Sequence, residues 1–289
     1  MRIAFIGMGE AGSAIVSGWG PDRAGQIVAF DAKTDDPATA PAMRERYATL
    51  GIEGAADLSA ALTGADLVLS VVTADQALAV ARAAAPHLGQ GATYCDLNSV
   101  APSSKTAAAE AVEAVGGRYV DVAVMAPVHP KRNMAPLLLS GPHAAATAEM
   151  LSALPMAPRT VEGPVGRASS IKMIRSVMVK GLEALTAECL LAASAAGVAD
   201  EVIASLEVSH PGTDWRARGP YNLERMEAHG LRRAAEMEEV AKTLTDLGLP
   251  DDMAAATVRW QRRVGDLRLD PPDGDLEAFA GPLLEALRR

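Results

Sequence analysis

The chain has 289 residues, 49% of them hydrophobic and 22% charged, which excludes a disordered polypeptide and suits two medium domains, each with its own core. A formal net charge of −9 excludes non-specific attraction to nucleic acid or acidic membranes and points to small-molecule partners. Two cysteines, Cys95 and Cys189, are too few for a disulfide framework, and no stretch has the length and hydropathy of a signal peptide or membrane span, so a cytoplasmic protein is expected.

Up to about residue 162, short apolar runs alternate with Ala-rich stretches, the pattern of a parallel α/β sheet whose strands are buried on both faces. The first run, RIAFI at 2–6, leads straight into GMGEAGSA at 7–14. Gly7-x-Gly9-x-x-Gly12 after a strand and before a helix has the form of a dinucleotide-binding turn. The first glycine permits the turn, the second admits a pyrophosphate close to the backbone, and the third lets helix and strand pack closely. The helix amino terminus then faces the phosphates. The second strand, QIVAF at 26–30, ends at Asp31, whose carboxylate suits the two ribose hydroxyls of NAD and repels the 2′-phosphate of NADP. Lys33, two residues on, offsets part of that repulsion and leaves NADP open.

A helix at 42–51 follows, then strands at 66–72 and 92–97 separated by a helix at 75–89, then a helix at 102–117 and a strand at 117–122. Weaker strands lie at 136–141 and 157–162. After EGPVGRASS nothing resembles a strand. Residues 168–196 keep apolar residues at helical spacing without proline and end at Gly197, which predicts a helix of ~40 Å joining the two domains. Further amphipathic helices are predicted at 200–209, 230–248 and 250–265, with the stretch 207–222, rich in His, Trp, Tyr and Arg, as a connection between helices. The expected fold is therefore a Rossmann-type doubly wound parallel sheet over residues 1–164, followed by an all-α domain over 165–289.

Three segments in this frame resemble the β-hydroxyacid dehydrogenase superfamily, which includes the 3-hydroxyisobutyrate and 6-phosphogluconate dehydrogenases, and within it the phosphogluconate dehydrogenase-like NAD-binding proteins of undefined substrate. DLNSVAP, Asp96 to Pro102, matches the family's D-x-S-T-x-x-P with Asn98 and Ser99 replacing Ser and Thr. DVAVMAP, Asp121 to Pro127, loosely matches D-x-P-V-S-G-G, and GRASSIKMIRS, Gly166 to Ser176, matches G-x-G-x-x-x-K-x-x-x-N. The resemblance implies that Lys172 is the general acid/base of an alcohol oxidation, the proton partner of a hydride transfer. It also implies cofactor contacts from Gly7, Met8, Gly9, Glu10, Ala11, Gly12, Asp31, Lys33, Val72, Thr73 and Asn98, and substrate contacts from Ser99, Met125, Ala126 and Ser176.

Departures from the pattern matter equally. Ser176 replaces the family's asparagine, and Ala126 with Pro127 replace its twin glycines, where proline has no amide to donate. AEM at 235–237 fits the late K-D-L segment only with Ala235 for Lys and Glu236 for Asp. His129, Lys131 and Arg132 in PVHPKRN are candidates to rebuild an anion site for an acidic substrate, with His129 a candidate substrate contact. No histidine spacing suits a metal. The expected function is an NAD(P)-dependent dehydrogenase or reductase for a small hydroxy acid or related alcohol, with imine reductase and catalytically inactive dinucleotide sensor as alternatives. Because the long helix carries more apolar surface than its own domain covers, a homodimer through the C-terminal domain is expected.

Overall fold

The computed structural model describes residues 1–21 and 25–288, which divide into two compact units, Met1–Met173 and Ile174–Arg289. The first unit runs β1 (Arg2–Ile6), α1 (Glu10–Trp19), β2 (Gln26–Phe30), α2 (Ala40–Leu50), β3 (Glu53–Gly54), α3 (Leu58–Leu62), β4 (Leu67–Ser70), α4 (Ala77–Ala84), β5 (Thr93–Asp96), α5 (Pro102–Glu113), β6 (Arg118–Val124), β7 (Pro136–Ser140), α6 (Ala144–Ala153) and β8 (Ala157–Thr160). One sheet holds all the strands in the order β3-β2-β1-β4-β5-β6-β7-β8. The chain leaves β1 in one direction for β2 and β3, and returns to its other side for β4, so the topological switch lies between β1 and β4.

Burial explains the continuous apolar strands. Ile3, Phe5, Leu67, Leu69 and Cys95 point to one face with Ile15 and Val16 of α1, Met43 and Tyr47 of α2 and Leu151 of α6. Ala4, Ile6, Val68 and Tyr94 point to the other, under Leu62 of α3, Ala81 of α4 and Val112 of α5. At one edge the structure corrects the all-parallel expectation, since β7 pairs antiparallel with β6 while β8 is parallel to β7. The segment between β6 and β7 contains no crossover α-helix, and a parallel return requires one in most folds. Helices α3 and α6 and the short β3 fall outside the elements predicted from sequence.

The next helix, α7 (Arg167–Ala196), starts in the first unit and continues into the second, which adds α8 (Ala199–Ser209), α9 (Trp215–Asp246), α10 (Asp252–Asp266) and α11 (Leu276–Leu287). The division falls after Met173 and not at the expected 164/165. The reason is local: Ala168 packs with Ala123 and Leu138 of the sheet, and Ser169 bonds Asp121. The predicted connection at 207–222 is mostly helix. Asp214 caps α9 by accepting from the Ala217 amide (3.0 Å), and the helix runs through Pro220. Only 210–214 link α8 to α9. The fourth helix of that unit, α11, capped by Asp275 and burying Phe279 and Leu283, is also absent from the sequence reading.

The core of the second unit joins Leu190 and Leu191 to Ile203, Leu223, Met226, Val264 and Phe279. Buried polar groups fix its helix register. Glu183 accepts from Arg233 Nε at 2.8 Å and from Arg233 Nη2, and Gln261 Nε2 adds a third bond at 2.8 Å. Lys180 pairs with Glu236 at 2.7 Å. Glu227 on α9 is 7% exposed and its Oε2 has no hydrogen-bond partner. Burial first, and the charge of Glu224 second, push its carboxyl up to about 7. In the unfolded chain it titrates near ~4.3. The folded form therefore holds the proton more tightly, and stability falls as pH rises through that window. Glu227→Gln is expected to leave stability unchanged near pH 4 and to raise it by about 2 kcal/mol at pH 8. Urea unfolding at the two pH values checks this, and an equal effect at both would refute it.

Candidate active site

The carboxyl ends of β1, β2, β4 and β5 converge at the topological switch, and the glycine turn lies there. Gly7 has φ +88°, and a Cβ on it would stand 2.6 Å from the Val71 carbonyl oxygen, so no other residue fits. A Cβ on Gly12 would meet the Gly7 carbonyl at 2.9 Å, which is the close packing expected of the third glycine. Nothing lies within 4 Å of a Cβ position on Gly9, and α1 begins at Glu10 with Gly9 as its cap and no side-chain cap bond. An open second glycine at a helix start without a capping side chain fits a pyrophosphate, which would be held by the first-turn amides around Glu10, Ala11 and Gly12.

Asp31 takes up its predicted place beside this turn. Its Oδ2 accepts from the Met8 amide (2.8 Å) and its Oδ1 from the Lys33 amide (3.0 Å). Each carboxylate oxygen retains a second lone pair for a ribose hydroxyl. Met8 is therefore committed on both counts, its amide to Asp31 and its side chain, 0% exposed, to the core. Arg46 of α2, missed in the sequence, donates from Nη1 to the Met8 carbonyl at 2.9 Å and adds a cation to the turn. Lys33 and Thr73 are exposed. A cavity of about 430 Å³ lined by Thr34, Arg44, Tyr47 and Ala55 opens past Asp31, and no candidate catalytic group lines it.

Asn98 and Val72 are brought together but spend their polar groups on each other and on the protein. The Val72 amide donates to Asn98 Oδ1 (2.7 Å), and Asn98 Nδ2 donates to Asp96 Oδ1 (2.7 Å) and Ser70 Oγ (3.1 Å). Both amide hydrogens of Asn98 are thus used, so its side chain shapes the site and is no donor to a cofactor. The next residue, Ser99, accepts from Lys172 Nζ at 2.5 Å. Lys172 and Ser99, far apart in sequence, therefore meet past the end of β5, which is separated by β4 from β1 and its glycine turn.

Beneath that pair lies a buried charge network that the sequence reading missed. Lys105 of α5, 0% exposed, donates to the Asp96 carbonyl (2.6 Å) and stands 2.9 Å from Asp96 Oδ1 and 3.6 Å from Asp121 Oδ1. Tyr119 donates to Asp96 Oδ2 at 2.7 Å. Burial, then the Asp96 charge, push its phenol well above the usual range, which keeps it a donor. Asp96 and Asp121 are direct neighbours in the β5–β6 register.

His129, Lys131 and Arg132 are exposed on a loop whose turn at Arg132–Met134 packs on α1 near Gly18. Met125 and Ala126 are half-buried just past β6, and Ser176 is buried on α7 in the second unit. Glu236, aligned with the family's late acidic residue, is paired with Lys180. Among the described residues no group of three His, Cys, Asp or Glu is placed to hold a metal, and no helix is long and apolar enough to cross a membrane.

This fold and turn are those of a dinucleotide-binding protein, and comparison with known proteins agrees. Residues 2–160 match the family model of the NAD binding domain of 6-phosphogluconate dehydrogenase, and the chain belongs to that family. Residues 193–264 match a domain of unknown function, DUF1932. A conserved hypothetical protein from Sinorhizobium meliloti 1021 is 40% identical, covering 100% of this chain and 96% of its own, with a TM-score of 0.77. A conserved protein of unknown function, described as structurally similar to 3-hydroxyacid dehydrogenases, is 29% identical over 92% of this chain and 97% of its own, TM-score 0.71. The 3-hydroxyisobutyrate dehydrogenase of Mycobacterium tuberculosis shares the fold at 16% identity, 98% of both chains and TM-score 0.71. An imine reductase from Aspergillus terreus shares it at 18% identity over 92% and 94% of the two chains, TM-score 0.57.

Proposed function

We propose that the chain is an NAD(P)-dependent oxidoreductase that interconverts a small hydroxy acid, or a related alcohol, and its carbonyl compound, with Lys172 as general acid/base. The observation that carries this reading is Lys172 Nζ at 2.5 Å from Ser99 Oγ, in the same unit as a glycine turn suited to a dinucleotide. Bound there, a nicotinamide supplies the hydride chemistry. The protein's own part is the proton: Lys172 Nζ takes it from the substrate hydroxyl during oxidation and returns it to the carbonyl oxygen during reduction. Ser99, which accepts from Lys172, keeps a hydroxyl hydrogen to donate to the substrate oxygen. Asp31 receives the adenosine ribose, and Gly7 to Gly12 receive the pyrophosphate.

Asp31 makes NADH the favoured cofactor. Fluorescence titration is expected to give tighter binding of NADH than NADPH, with Asp31→Ala narrowing or reversing the preference as the negative charge disappears. Tighter binding of NADPH by the unaltered protein would overturn this assignment.

A homodimer through the second unit belongs to the same reading. Ile174 and Met178 are 50% and 63% exposed, and Leu185 is 57% exposed; their spacing places them along one stripe of α7. Sedimentation at micromolar concentration is expected to show a dimer, and Met178→Asp to shift it toward monomer. A monomeric unaltered protein would count against it. The imine reductase reading stands second, supported by a shared fold, and retained turnover without Lys172 would favour it.

A further inference from the structure

Lys172 and Ser99 arrive at their contact on two separate arms, and the same buried charges grip both arms. The arm of Lys172 is the first turn of α7. Gly166, at its start, has no side chain with which to cap the helix, and Asp121 of β6 supplies the cap from outside. Its Oδ2 accepts from the amides of Gly166 (3.1 Å) and Ser169 (3.0 Å) and from Ser140 Oγ (3.0 Å), and its Oδ1 accepts from Ser169 Oγ (2.6 Å). Ser140 Oγ in turn accepts from the Ala168 amide at 3.0 Å. The arm of Ser99 is held through Asn98, whose amide donates to Asp96 Oδ1 at 2.9 Å. Lys105 lies between the two carboxylates, and Asp96, Lys105 and Asp121 are all at most 1% exposed.

A packed apolar helix start would suffice to hold α7 on the sheet, so a buried carboxylate with three acceptor bonds to one helix start, and a fourth to Ser140, which itself bonds the Ala168 amide, asks for a further role. Three direct bonds to Gly166 and Ser169, with the Ser140 relay to Ala168, set both the position and the rotation of the first turn. Lys172 follows Ser169 by three residues and so lies on the same helix face, one turn along.

We propose that Asp121 is a positioning residue for Lys172: it fixes the height and rotation of the first turn of α7, and Lys105 holds it in register with Asp96, so that Lys172 Nζ meets Ser99 Oγ. The inference rests on the reading of Lys172 as the proton-transfer group for its functional meaning, but its test needs no substrate.

The chain has six lysines, so the side-chain 13Cε signals can be resolved by NMR, and the Lys172 signal is the one missing from Lys172→Ala. Removing an acceptor disfavours the charged amine, so Ser99→Ala is expected to move the Lys172 titration midpoint down by about half a pH unit. In an Asp121→Asn background the same Ser99→Ala change is expected to move it by less than half as much. The charge lost with Asp121 is common to both members of that background and cancels in the cycle, leaving only the coupling through position. Equal shifts in the two backgrounds, or no shift on Ser99→Ala, would overturn the proposal. If Asp121→Asn does not fold, Ser169→Ala, which removes only the hydroxyl bond, takes its place in the cycle. NADH titration of each variant keeps the readings apart: lost NADH binding by the unaltered chain would sink the oxidoreductase reading, whereas the cycle alone decides the role of Asp121.

Discussion

Lys172→Ala is expected to lower kcat at least about a hundredfold while leaving NADH affinity within about twofold. General acid–base catalysis contributes roughly 10²- to 10⁴-fold, and the nucleotide turn at Gly7 to Gly12 uses no group of Lys172. Lys172→Arg separates charge from proton transfer. A guanidinium keeps the positive charge and can donate to Ser99, but with a pKa above ~12 it does not release a proton near neutral pH, so this variant should be nearly as inactive as the alanine one. Steady-state rates with any turned-over substrate, paired with NADH titration, provide the check. A Lys172→Ala enzyme within a few-fold of the unaltered rate would remove the lysine from the mechanism. Proton transfer would then have to be sought at His129, His210 or Tyr221, and the imine reductase reading would gain.

The second large effect concerns stability. Lys105→Met leaves the Asp96 and Asp121 carboxylates buried side by side without their shared cation. Breaking a buried pair by removing one partner costs about 3–5 kcal/mol, far more than loss of a surface ion pair, because the remaining charge has no solvent to turn to. At roughly 2–4 °C per kcal/mol, Tm should fall by about 6 °C or more. The origin of the loss can be tested by charge balance. Lys105→Met combined with Asp121→Asn removes one positive and one negative charge together and should recover part of the loss, since only one buried carboxylate then remains, still bonded to Tyr119 and Asn98. Calorimetry on the three proteins decides it. A Lys105→Met protein melting within 2 °C of the original, or a double variant less stable than the single one, would contradict the electrostatic account.

Lys105 also shows where sequence reading stops. In PSSKTAAAEAVEAVGG it is one charged residue in an amphipathic helix, and helical periodicity assigns such a residue to solvent. Its burial depends on sheet order, which brings the carboxyl ends of β5 and β6 together and sets Asp96 beside Asp121. A faint signal existed, since TYCD and YVDV each carry an aspartate at the same height in neighbouring apolar runs. By contrast, the glycine turn and Asp31 stand out because they sit in a local pattern whose spacing carries the chemistry, whereas Lys172 stands out only through the resemblance of GRASSIKMIRS to the family's segment. The stretch 207–222 reads as a connection from its His, Trp, Tyr and Arg content, and the Asp214 cap with the burial of Leu223 and Met226 makes most of it helix. The basic loop at His129 was read from composition alone, which gives no direction. Asn133 anchors that loop by donating to the Pro155 carbonyl at 2.6 Å, and the turn packs on α1.

The central claim is that this chain moves a hydride to or from a small hydroxy or carbonyl compound, and turnover tests it most directly. The purified protein with NADH, and separately with NADPH, is to be mixed with a panel of small 2- and 3-oxo acids, aldehydes, ketones and cyclic imines, while absorbance at the nicotinamide band is followed and products are identified by mass. The account predicts consumption of reduced cofactor with at least one oxo acid or related carbonyl, yielding the alcohol, and loss of that activity in Lys172→Ala. Binding of NADH with no oxidation by any carbonyl, or turnover confined to imines and indifferent to Lys172, would contradict it.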